Sequence, residues 1–318
     1  MRVVPGRTDS EDMRILAHIH TFNDEDVIER SLEAVSNQTH PVQEILVVDN
    51  ASTDGTLRKI ASKPATLIRH SKNLGTSGAV VTGMQYAIDH GYDWIWIFDA
   101  DSAPHKDSLA KLLELYDSLV PEVQERVWLM SSLHAEHGTT PHYQATWGPK
   151  GFRVFRPAPK EVVCEFHSTI WSGSLYKVSA IQKVGLPSVD YVLDWGEHTY
   201  GYRGKEAGYR AFMHVGSIVD HQIGGLPALH HTIFRLGPFS FKAREYPPFR
   251  CYYFQRNLLN FSLYENHELN WLGLLISFLR VFKLTVSFLP RLRTHRVHFV
   301  ACLRGIRDGL GGRMHLRY

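Results

Sequence analysis

The sequence predicts an α/β protein built on a mostly parallel sheet covered by helices, and three observations carry that prediction. Between residues 14 and 105, apolar runs of strand length alternate with amphipathic stretches of helical length, the pattern of successive β-α-β units. Several of these runs end in polar residues, at Thr21, Asp49 and Asp99, where open α/β sheets place their ligands. A chain of 318 residues with 44% hydrophobic and 21% charged residues suits one large domain, or one domain with an appendage.

The elements follow in order. Arg14–His20 reads as a first strand. Asp24–Gln38 reads as a helix capped by Asn23 or Asp24, with Val27, Ile28, Leu32 and Val35 on one face. Glu44–Asp49 is a second strand, followed by a turn from Asn50 to Gly55, a short helix and a third strand at Ala65–Arg69. A helix then runs from Asn73-Leu74-Gly75 to near His90-Gly91. Trp94–Phe98 is apolar throughout and reads as a buried strand ending in Asp99-Ala100-Asp101, with Pro104 placed to open the next helix. Beyond residue 125 the pattern is mixed: strands at Val127–Leu133, Val162–Trp171 and Arg210–Val219, a short helix at Lys177–Val184, and a long loop over Glu136–Lys160.

Two carboxylates one residue apart, flanked by hydrophobes at a strand end, are costly unless something positive neutralises them. A divalent cation carrying a diphosphate does so through carboxylate oxygens. The competing reading is a strand that ends in a solvated Asp-turn.

The net charge of +3 is too small to argue for a nucleic-acid partner, but its distribution is uneven: from Arg291 onward there are seven arginines against one acid, Asp308. The three cysteines have no metal-like spacing and suit reduced thiols in a reducing compartment. The polar N-terminal stretch lacks the apolar core of a signal peptide, so a cytoplasmic setting is expected. Trp271–Leu289 is close to membrane-spanning length but contains Arg280 and Lys283. Ser277, Arg280, Lys283 and Ser287 recur every three or four residues as one polar stripe. The stripe reads as an amphipathic helix in a membrane interface, or as a helix packed on the protein's own core. The arginines after it favour an anionic lipid surface.

Several stretches together resemble glycosyltransferase family 2, the inverting GT-A enzymes, and within it the rhamnosyltransferase and galactofuranosyltransferase-like branch. They are Thr21-Phe22-Asn23, Val47–Thr56 (VVDNASTDGT), Asn73-Leu74-Gly75, Asp99-Ala100-Asp101, Trp171–Tyr176 (WSGSLY), Asp194-Trp195-Gly196-Glu197 and His221. Each is weak alone; their order and spacing over residues 14 to about 260 are specific.

The resemblance implies a GT-A fold and roles for particular residues. Thr21, Asn23 and Asp49, with the Asn73-Leu74-Gly75 loop, would hold the nucleotide; the alternative for Asp49 is an Asx-turn cap of its own backbone. Asp101 would bind the metal, Mg²⁺ or Mn²⁺, with Asp99 near the ribose or as a further ligand and His221 as a late ligand. Glu197 stands at the general-base position, departing from the usual pattern in that Glu replaces Asp and Thr199 replaces a second acid. Those departures leave Asp194 as an alternative base and His198 as a helper. Trp171, Ser172, Gly173 and Trp195 would run beside the sugars, with buried packing the alternative for the two tryptophans. Arg250 or Arg256 would bind a diphosphate, or form salt bridges.

These readings predict a catalytic domain over 1–260, its nucleotide-binding half at 14–105 and its acceptor half at 106–260, with a helical region at 261–318. The expected activity is inverting transfer of rhamnose, galactofuranose or a similar sugar from a nucleotide-diphosphate donor to a hydroxyl of a glycan acceptor, lipid-linked, in polysaccharide or cell-envelope synthesis. The expected location is peripheral, at the inner face of the plasma membrane. A nucleotidyltransferase lacks its Gly-rich loop here, a dinucleotide oxidoreductase lacks G-x-G-x-x-G, and an inactive GT-A-like glycan-binding or scaffolding protein remains the non-enzymatic alternative.

Overall fold

A computed structural model of the chain describes residues 13–135, 143–154, 157–158, 160–221, 230–236, 239–244 and 246–314. The first half alternates as the sequence predicts: β1 (Ile15–Thr21), α1 (Ile28–Ser36), β2 (Glu44–Asp49), α2 (Thr56–Ile60), β3 (Thr66–Arg69), α3 (Gly75–Asp89) and β4 (Trp94–Asp99). These four strands lie in the order β3-β2-β1-β4 and all run parallel. Apolar residues from one face of β1 and β4, among them Ile15, Ile19, Trp96 and Phe98, pack with Ile28, Leu32 and Val35 of α1. Those on the other face, Leu16, Ile95 and Ile97, pack with Ala79, Val80 and Met84 of α3. A sheet covered on both faces needs strands that are apolar at consecutive positions, as the run through Trp94–Phe98 is.

The second half adds β5 (Ser102–Pro104), α4 (Ser108–Ser118), α5 (Pro121–Gln124), β6 (Val127–Ala135), β7 (Ala145–Gly148), β8 (Gly151–Val154), β9 (Val163–Phe166), β10 (Ser174–Lys177), α6 (Val178–Val184), α7 (Gly196–Glu206) and β11 (Arg210–His221). β10 inserts antiparallel between β4 and β6, and β11 runs parallel to β6, so the nine-stranded sheet is parallel in its first half and mixed in its second.

Four local expectations change. α1 starts at Ile28 with Val27 at its N-cap position and no side-chain cap, so neither Asn23 nor Asp24 caps it. Pro104 does not open a helix; it ends the edge strand β5, which pairs antiparallel with β11, a position where the missing N–H is tolerated. The strand expected at Val162–Trp171 is limited to β9, because the chain turns away at Ser168 to bridge Ala145. The segment expected as a loop at Glu136–Lys160 contains the β7–β8 hairpin, while its residues 136–142 lie outside the described residues.

After the hairpin of β12 (His230–Leu236) and β13 (Phe239–Arg244) come α8 (Pro248–Asn260), a π-turn at Phe261–Glu265, α9 (Trp271–Val286) and α10 (Leu292–Leu310). The Asn270 side chain caps α9 by accepting from Gly273 N. The polar stripe of α9 is turned inward. Ser277 and Ser287 are buried, Ser262 donates to Ser277 Oγ at 2.9 Å, and Gln255 of α8 donates to Val281 O and Thr285 Oγ1. Lys283 stays exposed. Trp271, Leu275, Phe278, Leu279 and Phe282 face outward, with Trp271 at 74% and Phe282 at 63% exposure. By length and composition alone, Trp271–Leu310 could cross a membrane.

Candidate active site

Strand register assembles the site. Thr21 pairs with Asp49 and His20 with Asp99, so β1, β2 and β4 end side by side. The chain turns after Asp99 into β5, and Ser102 pairs with His221, the last residue of β11. That pairing brings a residue 120 positions downstream onto the two acids. Ligand atoms of Asp99, Asp101 and His221 lie within 4.8 Å of one another. His221 Nδ1 stands 3.4 Å from Asp101 and 2.6 Å from Ser102 Oγ, and its Nε2 is 3.9 Å from Asp99. Two carboxylates and an imidazole fit Mg²⁺ or Mn²⁺. In the tautomer that protonates Nδ1, the Ser102 bond leaves the Nε2 lone pair for a cation.

Sequence reasoning missed the groups that tune this cluster. His20 Nε2 lies 2.6 Å from Asp99. Burial would raise the Asp99 carboxyl, but His20, His221 and His134 outweigh it and hold the group at about 2. His134 is fully buried, donates from Nε2 to Ser172 O at 2.8 Å, and is pushed down to about 3 by burial and by His221. Ser172 Oγ donates to Ser102 Oγ at 2.6 Å, so Ser172 positions the His221 pair from behind. Gly173 takes φ +73° beside His134. The only sequence signal for His20 and His134 was a histidine in an apolar strand, which is usually a packed one.

At the ends of β1 and β2, Asp49 is fully buried. Its carboxylate accepts from Ser52 N at 3.1–3.2 Å and pairs with Arg69 at 3.3 Å, so it braces the Asn50–Gly55 turn. Thr21 Oγ1 donates to Asp24 at 2.8 Å. Asn23, at φ +58°, accepts from Thr53 N at 2.8 Å and stitches the two strand-end turns together. Asn73 accepts from Gly75 N at 2.8 Å. Gly75 has φ +74°, and a Cβ there would come within 2.4 Å of Val192 O; only glycine fits.

Glu197 is the second residue of α7, half-buried, with its carboxyl raised to about 8 by burial and by the nearby charges of Asp194 and Asp99. It lines a cavity of about 300 Å³ with Asp194, Trp195, His198, Phe254 and Arg280. Burial lowers His198 to about 4, and its Nδ1 is 3.1 Å from Ser168 Oγ. Asp194 is held bidentate by Arg250 at 2.7 and 2.9 Å. Asp194 and Trp195 are consecutive non-glycine residues with positive φ, 57° and 72°, a strained pair that surrounding contacts must hold. Asn257 of α8 does so by donating to the carbonyls of Leu193 and Asp194 at 2.9 and 2.8 Å.

The structure brings Trp195 to the cavity but buries Trp171 against Tyr176 and Tyr200 at 6.0 and 5.9 Å. Arg256 is fully buried and donates to Asn257 and to Asp190 O, away from the cavity. Arg250 reaches the cavity only through Asp194. Phe254 and Arg280, which do line it, were given no site role by the sequence.

The sequence model of glycosyl transferase family 2 matches residues 17–156, from the first strand past the paired acids. Residues 17–156 are a glycosyltransferase family 2 domain. The domain is 32% identical over 93 residues to the galactofuranosyltransferase GlfT1 of Mycolicibacterium smegmatis, covering 28% of this chain and 30% of that protein. It is 32% identical over 107 residues to an undecaprenyl-phosphate mannosyltransferase of Micrococcus luteus, covering 32% and 44%. The chain thus spans less than half the length of these curated relatives. Its fold matches that of S. aureus TarS 1–349, solved in complex with UDP, with a TM-score of 0.51 at 12% identity over 95% of this chain and 88% of that one. The family 2 domain and its extension therefore have the α/β GT-A fold, with a C-terminal helical extension.

Proposed function

We propose that the protein is an inverting glycosyltransferase that moves a sugar such as rhamnose or galactofuranose from a nucleotide-diphosphate donor to a hydroxyl of a lipid-linked glycan, in cell-envelope or polysaccharide synthesis. The observation that carries this reading is the Asp99–Asp101–His221 cluster, set at the carboxyl end of the family 2 sheet with Glu197 within electrostatic reach. Residues 1–260 form the catalytic domain and 261–318 the helical region that docks it.

Thr21, Asn23 and the turn braced by Asp49 hold the nucleoside, and the loop at Asn73 and Gly75 covers it. Asp101 and His221, with Asp99, hold Mg²⁺ or Mn²⁺, which when bound stabilises the departing diphosphate as a Lewis acid. Glu197, as carboxylate, takes the acceptor hydroxyl's proton while that oxygen bonds to the anomeric carbon. The bond from that carbon to the diphosphate breaks on the opposite face, which inverts the configuration. A base with a pKa near the working pH is best matched to this task. We place it at Glu197 because both carboxylate oxygens of Asp194 already accept hydrogen bonds from Arg250. His198, kept neutral by burial, and Trp195 border the sugars.

The outward face of α9, with exposed Arg293, Arg296 and Arg304 on α10, fits an anionic membrane surface. Aromatic and aliphatic groups enter the interface while guanidinium groups meet headgroups. The protein then works from the cytoplasmic face of the plasma membrane.

A thermal-shift screen of nucleoside diphosphates with and without Mn²⁺ tests the activity. Stabilisation by one nucleotide, needing the metal, should reach about 2.7 kcal/mol at a hundred times its dissociation constant and vanish in Asp101→Asn. No stabilisation by any nucleotide, or a full effect in Asp101→Asn, refutes the reading.

A further inference from the structure

α9 has two unlike faces within one turn. Leu279 and Phe282 point outward, 55% and 63% exposed, while Arg280 lies on the inner side and lines the cavity that contains Glu197 and Asp194. From this juxtaposition we infer that Arg280 binds the phosphate of a lipid-linked acceptor, with the lipid chain along the apolar face of α9 and the first sugar directed at Glu197. The inference rests on the transferase reading and deepens it by naming the residue that recognises the acceptor's anionic junction.

The geometry argues for this assignment over others. The donor diphosphate belongs with the Asp99–Asp101–His221 cluster, at the ends of β4 and β11 and the turn between β4 and β5. Arg280 comes instead from α9, beside Phe254 and Trp195. Arg250 does not line the cavity and donates two hydrogen bonds to Asp194. A guanidinium presents five N–H donors in a fixed fork, which matches the geometry of a phosphate. Burial lowers the Arg280 pKa, the mark of a cation held partly out of water, where a phosphate gains more than at an open surface. A polyprenyl phosphate has its chain in the hydrocarbon and its phosphate at headgroup depth. A helix lying in the interface, with an arginine on its protein side, meets both parts at once.

Calorimetry in EDTA tests it, because chelation prevents a diphosphate from binding through a metal at the acidic cluster. The probes are farnesyl diphosphate, farnesol and inorganic pyrophosphate, each titrated in detergent into the full chain. Wild type should bind farnesyl diphosphate at least about tenfold more tightly than farnesol, equivalent to about 1.4 kcal/mol. Arg280→Gln should erase that preference without changing farnesol binding, and Arg280→Lys should keep part of it. Arg296→Gln combined with Arg304→Gln should leave it in place. The inference is overturned if Arg280→Gln retains the preference, or if the surface double variant alone removes it. Pyrophosphate binding as tightly as farnesyl diphosphate overturns the lipid source and leaves a free-phosphate site. The nucleotide-plus-Mn²⁺ thermal shift is measured on every variant. If it persists in Arg280→Gln while the preference also persists, this inference fails alone; if it is absent in wild type, the transferase reading fails.

Discussion

Glu197→Gln separates a functional base from an ordinary helix-start carboxylate, because the two differ in how stability and rate depend on pH. A rise in the Glu197 pKa from 4.5 to about 8 corresponds to about 5 kcal/mol at roughly 1.4 kcal/mol for each tenfold change in proton affinity. Glu197 is half-buried, so screening by water reduces this to about 2–3 kcal/mol. The sign follows from proton counting. Below pH 4.5 both folded and unfolded chains carry the proton. From pH 4.5 to 8 the unfolded chain has released it and the folded chain holds it, so this group's stabilising contribution declines as pH rises and is lost by pH 8. Glutamine has no proton to lose. Urea unfolding of the metal-free protein at several values between pH 5 and 8.5 should therefore show Glu197→Gln gaining about 2–3 kcal/mol on wild type across the series. A difference that stays constant with pH refutes the raised carboxyl. In turnover, wild-type kcat should rise with pH to a midpoint near 8, and Glu197→Gln should lose about 10²–10⁴-fold in kcat while keeping its nucleotide-plus-Mn²⁺ stabilisation. A midpoint near 4.5 would show that the base is tuned elsewhere.

Arg250→Met leaves the partly buried Asp194 unpaired and should cost about 1–3 kcal/mol; kcat should fall while donor binding by calorimetry persists. Equal loss of both would instead make Arg250 a donor ligand. Gly75→Ala forces a Cβ against Val192 O at φ +74°, and its urea-unfolding cost should exceed about 2 kcal/mol, more than that of Gly148→Ala, whose Cβ would meet nothing within 4 Å. The double variant Leu279→Asp with Phe282→Asp should lose co-sedimentation with anionic vesicles, and unchanged binding would remove α9 from the docking surface.

The fold was legible where each strand carries its own signal. Glu44–Asp49 is the observed β2, and β1, β3 and β11 differ from expectation by one or two residues at their ends; β1, β2 and β4 are buried along nearly their whole length, so a run of mostly apolar residues marks each of them without its partner. β5 was not legible: Ser102–Pro104 has no strand pattern and exists only because β11 offers it an edge. The same pairing explains why His221 could be placed only through resemblance. Its place beside Asp99 and Asp101 depends on a register between residues far apart in sequence, which composition does not encode. His20 and His134 were missed for a related reason, since a histidine's neighbours decide whether it packs or tunes a carboxylate. For α9, spacing revealed the polar stripe but not its direction. A helix with polar groups along one side can turn that side to water or to hydrogen-bonding partners, and Gln255 and Ser262 of the preceding segment decide for the protein.

That inversion joins the C-terminal region to the chemistry instead of leaving it an anchor alone. The segment from Asp190 to Trp195 is held on one side by α3, where Thr76 N donates to Val192 O at 3.0 Å and Ser77 Oγ donates to Tyr191 O. On the other side it is held by α8, through Arg256 on Asp190 O, Asn257 on Leu193 and Asp194 O, and Arg250 on the Asp194 carboxylate. The strained backbone before Glu197 is thus clamped between the helix that opens at the nucleotide loop and the helix on which α9 rests. Two consecutive positive φ values cost about 1–3 kcal/mol each, and buried side-chain bonds to carbonyls are the kind of contact that sustains such strain. The proposed base is therefore held in place from α3 and from α8 together, and a change at either one reaches Glu197 through fewer than ten residues of backbone.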